Sequence, residues 1–182
     1  GFPTHIKLDS SVDTLIINGA ECEPLINVDK QLLEHRFERE YKGIKTAAVL
    51  VGAGRTVLAV KEKNKKAIEA VESFNAGGSD LEIYRMDDFY PAGDEQVLVN
   101  EVTGKIVPEG GIPIQVGAVV INVETLLNVA GAVEGSKVTH KYVTVNGEVN
   151  NPLTLMVPVG TPVKLLLDYC GGMKSQDAVV VD

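Results

Sequence analysis

Apolar and polar positions alternate in blocks along this chain, and the period inside each block predicts an element. Residues 14–17, Thr-Leu-Ile-Ile, form an unbroken run before Asn18-Gly19. A run of this kind predicts a strand buried on both faces, as in a parallel sheet. After Pro24, Val28, Leu32 and Leu33 recur at helical spacing among charges and predict a helix over 25–37. Ile44, Ala47, Ala48 and Val51 then fall at i, i+3, i+4 and i+7, a second helical stripe. It ends in Gly52-Ala53-Gly54, where glycine suits a helix C-terminus. A dinucleotide-binding glycine loop is the competing reading, but its third glycine would fall at position 57, which is Val57.

The alternation continues. Strands are predicted over 56–60, 81–85 and 118–121, and helices over 64–74 (capped by Asn64, closed by Gly77-Gly78), from Asp94 to about Val102, and over 123–133. Strands alternating with helices imply an α/β fold, a Rossmann-like parallel sheet covered on both sides. From about Glu134 the texture changes. Residues 141–145 alternate, Asn146-Gly147 reads as a two-residue hairpin turn, and 153–157 supply a second strand. Thr161-Pro162 opens a helix that Gly171-Gly172 closes, and 178–181 read as a last strand. The expected organisation is an α/β domain over 1–134 and a small β-grasp domain over 135–182.

Composition narrows the function. A net charge of −8 argues against a nucleic-acid binder, and the one basic cluster, Lys61 to Lys66, is interleaved with Glu62. No apolar run approaches the roughly 18 residues of a membrane span. Cys22 and Cys170 have neither C-x-x-C nor Cys/His spacing, so no local metal or iron–sulfur motif is present. The chain begins at Gly1 without Met, and both ends read as cut; a longer protein is expected.

Three polar segments follow directly on apolar strands or open a helix: Asn18 to Pro24, Tyr90 to Glu95, and Asn122 to Thr125. Ligands bind at strand C-termini in open α/β sheets. The helix start after Tyr90 offers backbone N–H groups suited to a phosphate. Asn18 and Asn122 can each donate and accept, as sugar hydroxyls or a flavin ring edge require. Structural readings stand beside these. Asn-Gly is a common turn, Glu21 and Glu23 could be solvated loop charges, and Asp94-Glu95 are what any first helical turn prefers. Thr125 could simply fill a helix position. These patterns reach a polar site at the strand ends and leave its ligand unnamed.

Resemblance supplies a candidate. Gly1-Phe2-Pro3-Thr4 with Lys7 resembles the end of the glycine-rich loop, G-F-P-T-x-x-K, in the flavin-carrying subunit of respiratory NADH dehydrogenase. The likeness to RnfC, the matching subunit of the Rnf electron-transport complex, is greater. Asn18 to Pro24 reads N-G-A-E-C-E-P as in that family, and Tyr90 to Glu95 resembles its Y-P-x-G-[GD]-E. Asn122 to Thr125 is similar to its N-V-[EG]-T, and Gly110-Gly111-Ile112-Pro113 is a further signature. The tail resembles the soluble-ligand-binding β-grasp (SLBB) module.

The resemblance implies an FMN that exchanges hydride with NADH and electrons with iron–sulfur clusters, the clusters lying outside this chain. Gly1, Lys7, Asn18, Glu21, Tyr90, Gly93, Asp94, Asn122 and Thr125 would line the flavin, and Glu23 and Glu95 the nicotinamide side. No side chain is expected to act as a nucleophile, and no residue as a metal ligand. Implied partners are other subunits of a membrane electron-transfer complex, with the chain cytoplasmic or peripheral at the inner face and not inserted. Two alternatives stay open: a soluble relative feeding a reductase such as proline reductase, and a flavin-free docking scaffold. The departures bear on activity. The glycines before Gly1 and the cysteine-rich segment of RnfC are missing, so the chain alone is expected to be inactive as an NADH dehydrogenase. Ile121 replaces a second asparagine of the respiratory subunit.

Overall fold

The computed structural model describes residues 3–79, 81–175 and 177–181. Its contacts divide the chain into two compact units, Gly1–Cys22 with Asp29–Lys137, and Glu23–Val28 with Val138–Asp182.

The first unit is a four-stranded parallel sheet in the order β3-β2-β1-β4. Its strands are β1 (Thr14–Gly19), β2 (Arg55–Lys61), β3 (Glu82–Met86) and β4 (Ala118–Asn122). Leu15, Ile16 and Ile17 of β1 are completely buried, as a strand covered on both faces requires. On one face, α4 (Glu95–Thr103) packs Leu98, Val99 and Val102 against Ile16, Val57, Ala59 and Val120. The other face takes α2 (Val28–Val51), whose Leu33 packs over Gly19, together with α3 (Lys65–Asn75) and α5 (Val123–Val133). Phe37 and Tyr41 of α2 meet Phe74 of α3 with ring centroids 5.3 and 4.8 Å apart. A short helix, α1 (Thr4–Leu8), precedes β1.

Helix α2 corrects the sequence reading. The two expected helices are one continuous helix of 24 residues, beginning at Val28 rather than Leu25. Leu25 stands at φ +66°, outside helical space. The polar stretch between the two stripes supplies good helix formers in Glu38, Arg39, Glu40 and Lys42. Gly43 within it serves a close approach, because a Cβ there would lie 1.9 Å from the Leu126 carbonyl oxygen of α5. The helix ends at Val51, and Gly52 follows at φ +65°, a terminus rather than a nucleotide loop. Asn64 precedes α3 but makes no side-chain cap.

In the second unit, β5 (His140–Val145) pairs antiparallel with β6 (Leu153–Pro158), His140 opposite Pro158 and Val145 opposite Leu153. The link is therefore residues 146–152, not a two-residue turn. Val149 bridges to Met173, and the Asn150 and Asn151 N–H groups donate to Gly172 and Cys170, so pairing with the segment beyond the last helix occupies this link. That helix, α6 (Val163–Tyr169), has Pro162 at its N-cap; the Thr161 hydroxyl turns back to the Pro158 carbonyl instead of capping. Leu166, Cys170 and Val149 are buried. Residues 178–181 form no strand, and Val179 and Val181 are more than four-fifths exposed. An apolar run this short becomes a strand only where another strand accepts its backbone, and among the described residues β5 pairs with β6 alone.

Candidate functional site

Strand order places the site. The chain leaves β1 toward β2 on one side, and β4 returns on the other, with α2 and α4 on opposite faces. The carboxyl ends of β1 and β4 are thus a topological switch point, the place where open α/β sheets bind their ligands. Asn18 and Asn122 stand there opposite each other in the β1–β4 register.

Each asparagine is fixed by two hydrogen bonds. Asn18 Nδ2 donates to the Gly93 carbonyl at 2.9 Å, and its Oδ1 accepts from the Ala20 N–H at 3.1 Å. Asn122 Nδ2 donates to Asp29 Oδ2 at 2.7 Å, and its Oδ1 accepts from the Glu124 N–H at 2.8 Å, capping α5. A primary amide has two N–H groups and two lone pairs, so each keeps one of both for a ligand.

The turn before α4 is drawn to the same end. Gly93 donates its N–H to Cys22 Sγ, and a Cβ on Gly93 would lie 2.9 Å from that sulfur. Asp94 caps α4, its Oδ1 accepting from Gln96 N at 2.9 Å and Val97 N at 3.2 Å. Lys7, buried beneath, donates to the Val120 carbonyl at 2.8 Å and to the Glu95 carboxylate, joining α1, β4 and α4. Glu21, at φ +36°, accepts from Asp29 N at 3.1 Å and Lys30 N at 3.4 Å, and so closes the N-terminus of α2. A left-handed φ in a non-glycine residue costs about 1–3 kcal/mol and persists only where its surroundings hold it.

These contacts join Lys7, Asn18, Glu21, Gly93, Asp94, Glu95 and Asn122 at one end of the sheet. Thr125 lies half-buried in the first turn of α5, and Tyr90 is exposed on the approach to Gly93. Glu23 is exposed and clusters with the second unit. Gly1 lies outside the described residues. The Gly110–Pro113 signature builds the entry to β4: the Ile112 N–H donates to Gln115 Oε1 at 3.1 Å.

One expectation is corrected. The N-termini of α2, α4 and α5 are already closed by Glu21, Asp94 and Asn122, so the start of α4 is not an open phosphate seat. Sequence reasoning also missed Asp29, which anchors Asn122, and Lys61, a buried lysine at the end of β2 whose Nζ lies 3.1 Å from Asp88. Lys63 and then Lys61 hold the Asp88 carboxyl below its usual range. Glu40 was missed as well, although it sits on the apolar stripe between Phe37 and Ile44. It is buried, and burial followed by the charge of Asp29 pushes its carboxyl up to about 9.

Among the described residues no cluster of His, Cys, Asp and Glu could hold a metal ion, and no helix is long and apolar enough to cross a membrane. Cys22 and Cys170 are both free thiols.

Residues 142–181 match the SLBB domain. The cobalamin reductase PduS of Citrobacter freundii is 43% identical over 97% of the chain, which spans 39% of that protein. A component of the Na(+)-translocating ferredoxin:NAD(+) oxidoreductase complex of Acetobacterium woodii is 36% identical over 99% of the chain and 42% of its own length. The chain thus spans about two fifths of these relatives. Among solved structures, an NAD+-reducing [NiFe]-hydrogenase in the air-oxidized state superposes with a TM-score of 0.80 at 26% identity, over 95% of this chain and 36% of the other. Residues 1–131 match the Nuo51 FMN-binding domain, and by that match the chain belongs to the Nuo51 family of FMN-binding domains, with an SLBB domain following.

Proposed function

We propose that the strand-end crevice of the first unit seats the ring of an FMN, and that the longer protein passes electrons between NADH and iron–sulfur clusters. The observation that carries this reading is Asn18 opposite Asn122 at the switch point, with Gly93 and Lys7 drawn to the same end. Two amides, each with a spare donor and acceptor, suit the edge of a flavin ring, which presents both. The names of the relatives, a cobalamin reductase and a component of a ferredoxin:NAD(+) oxidoreductase complex, support the same chemistry. When bound, FMN supplies the exchange between hydride and single-electron transfer.

The side chains bind and orient. Asn18 and Asn122 would hold the ring edge, Gly93 would let the α4 turn approach it, and Glu95, held by Lys7, would face the nicotinamide. Glu21, Tyr90, Asp94 and Thr125 would complete the wall. Implied partners are further subunits of a membrane electron-transfer complex or a soluble reductase, with the chain on the cytoplasmic side.

The ring end of FMN fits these residues better than its phosphate does. Glu21, Asp29, Asp94, Glu95 and Glu124 gather here, and Lys7 is engaged with Glu95. The missing donors would be the backbone N–H groups of the glycine-rich loop that the resemblance places ahead of Gly1. Two lost charge-assisted hydrogen bonds, each about 1.5–3 kcal/mol, weaken binding by roughly two to four decades. Titration of FMN, followed by fluorescence quenching, compares the chain with a form extended through that loop. The extended form should bind more tightly by that margin. Equal affinity removes the loop as phosphate anchor, and no binding by either form leaves the docking-scaffold reading.

A further inference from the structure

Helix α3 opens at the carboxyl end of β2, the end at which open α/β sheets take their ligands. Val60 stands opposite Gly19 of β1, and Lys61 closes the strand. Glu21, Asp94 and Asn122 close the first turns of α2, α4 and α5, but α3 has no such closure. Among the described residues nothing accepts from the N–H groups of Lys65, Lys66 or Ala67, and the helix bonds begin with Ile68 N to the Asn64 carbonyl at 3.1 Å. Asn64 is only 8% exposed, yet its side-chain amide makes no hydrogen bond. Neither atom of that amide is sealed from solvent, so the small opening of the residue lies at its amide, at the mouth of α3. The backbone explains the missing cap. Asn64 has ψ 55°, where the capping residues Asp94 and Asn122 have the extended values 137° and 150°, so its amide stands beside the first turn instead of closing it.

A buried amide and an open helix start are both unfavourable unless something accepts from them. The surrounding charges decide what that is. Lys61 and Lys63 are paired with Asp88 at 3.1 and 2.6 Å, and Lys65 with Glu62, which also faces Arg85 at 3.7 Å. Lys66, in the first turn, is exposed and has no ion pair among the described residues. The basic stretch is thus neutralised by its own neighbours except at the helix start. We propose that the start of α3 is a binding site for a phosphate group. The Lys65 and Lys66 N–H groups and the Asn64 amide donate to its oxygens, the helix dipole favours its charge, and the Lys66 ammonium supplies the counter-charge. Asn64 brings an amide where α4 has the carboxylate of Asp94, and so leaves the negative charge to the ligand. The site lies one strand away from Asn18 and does not depend on the flavin reading.

Inorganic phosphate and AMP, titrated in parallel into the full chain at neutral pH against sodium chloride of matched ionic strength, test this by NMR. The backbone amides of Lys65 and Lys66 and the side-chain amide of Asn64 should move together and saturate with phosphate but not with chloride. Equal affinity for the two ligands assigns the seat to the phosphate group alone, and tighter binding of AMP assigns it to a nucleotide; both support the site. Asn64→Asp keeps the size of the side chain and puts a carboxylate beside the seat, so it should weaken binding at least about tenfold. Lys66→Ala should weaken it about threefold, and because Lys66 is exposed this variant keeps its fold whatever becomes of the other. No saturable movement means that Asn64 closes the helix itself in solution, and overturns the proposal. Movement that neither variant weakens marks an adventitious ion only, and overturns it as well.

Discussion

The side-chain amide of Asn18 donates to the carbonyl of Gly93 at 2.9 Å, across 75 positions of sequence, and fastens the end of β1 to the turn that opens α4. The same asparagine accepts from Ala20, so one residue sets both the exit of its strand and the height of the opposite wall. Asn122 does the equivalent for β4 and α2 through Asp29.

Replacing Asn18 by Ala is predicted to loosen that wall. The Gly93 carbonyl and the Ala20 N–H both lose their partner at a partly buried site, a cost of about 1–3 kcal/mol. Urea unfolding should show this loss, and FMN affinity of the extended form should fall at least tenfold. Unchanged stability would mean that the turn before α4 is held by other contacts.

Gly93→Ala probes the same wall by crowding it. The added methyl would lie 2.9 Å from Cys22 Sγ and about 3.5 Å from the Asn18 amide, so the thiol must move. Overpacking of this kind costs about 1–3 kcal/mol. Adding Cys22→Ala should recover most of it, and the double-mutant cycle should show coupling. Additive costs would place the strain elsewhere.

Gly43→Ala is predicted to be far more damaging than Gly54→Ala. A Cβ at Gly43 would overlap the Leu126 carbonyl of α5, whereas at Gly54 nothing lies within 4 Å. Because the obstacle at Gly43 is backbone, α2 and α5 must separate, at a cost of about 3 kcal/mol or more. Gly54→Ala should be neutral or stabilise by up to about 1 kcal/mol by stiffening the unfolded chain. Thermal melts of the two variants check this, and equal shifts would contradict the close helix approach.

Much of this arrangement is legible in sequence. Unbroken apolar runs ending in Asn18 and Asn122 identify β1 and β4, because only a strand covered on both faces reads that way. What escapes is decided at long range. The polar residues before Gly43 read as a gap between two helices, and only the approach of α5 explains a glycine inside one. Asn146-Gly147 carries a strong local hairpin signal, but the following residues pair with the segment after α6 and lengthen the link. Asp94 reads correctly as a residue of helix starts, yet its carboxylate fills the place assigned to a phosphate.

Glu40 gives the last prediction, a stability that falls as pH rises. Its carboxyl sits at about 9 in the folded chain against 4.5 as the ordinary value. Below about pH 4.5 both states are protonated, and the group makes no pH-dependent difference. Above that the unfolded chain releases the proton while the folded chain keeps it, so each pH unit costs about 1.4 kcal/mol until the folded value is passed. By neutral pH the loss from this one residue is roughly 3 kcal/mol. Glu40→Gln cannot titrate, so its stability should exceed that of the unaltered chain increasingly from about pH 5 to about pH 9 and then level off. Urea unfolding at several pH values measures the difference directly. Parallel curves for the two chains would show that Glu40 is ionised in the folded state and that its burial is relieved by a partner.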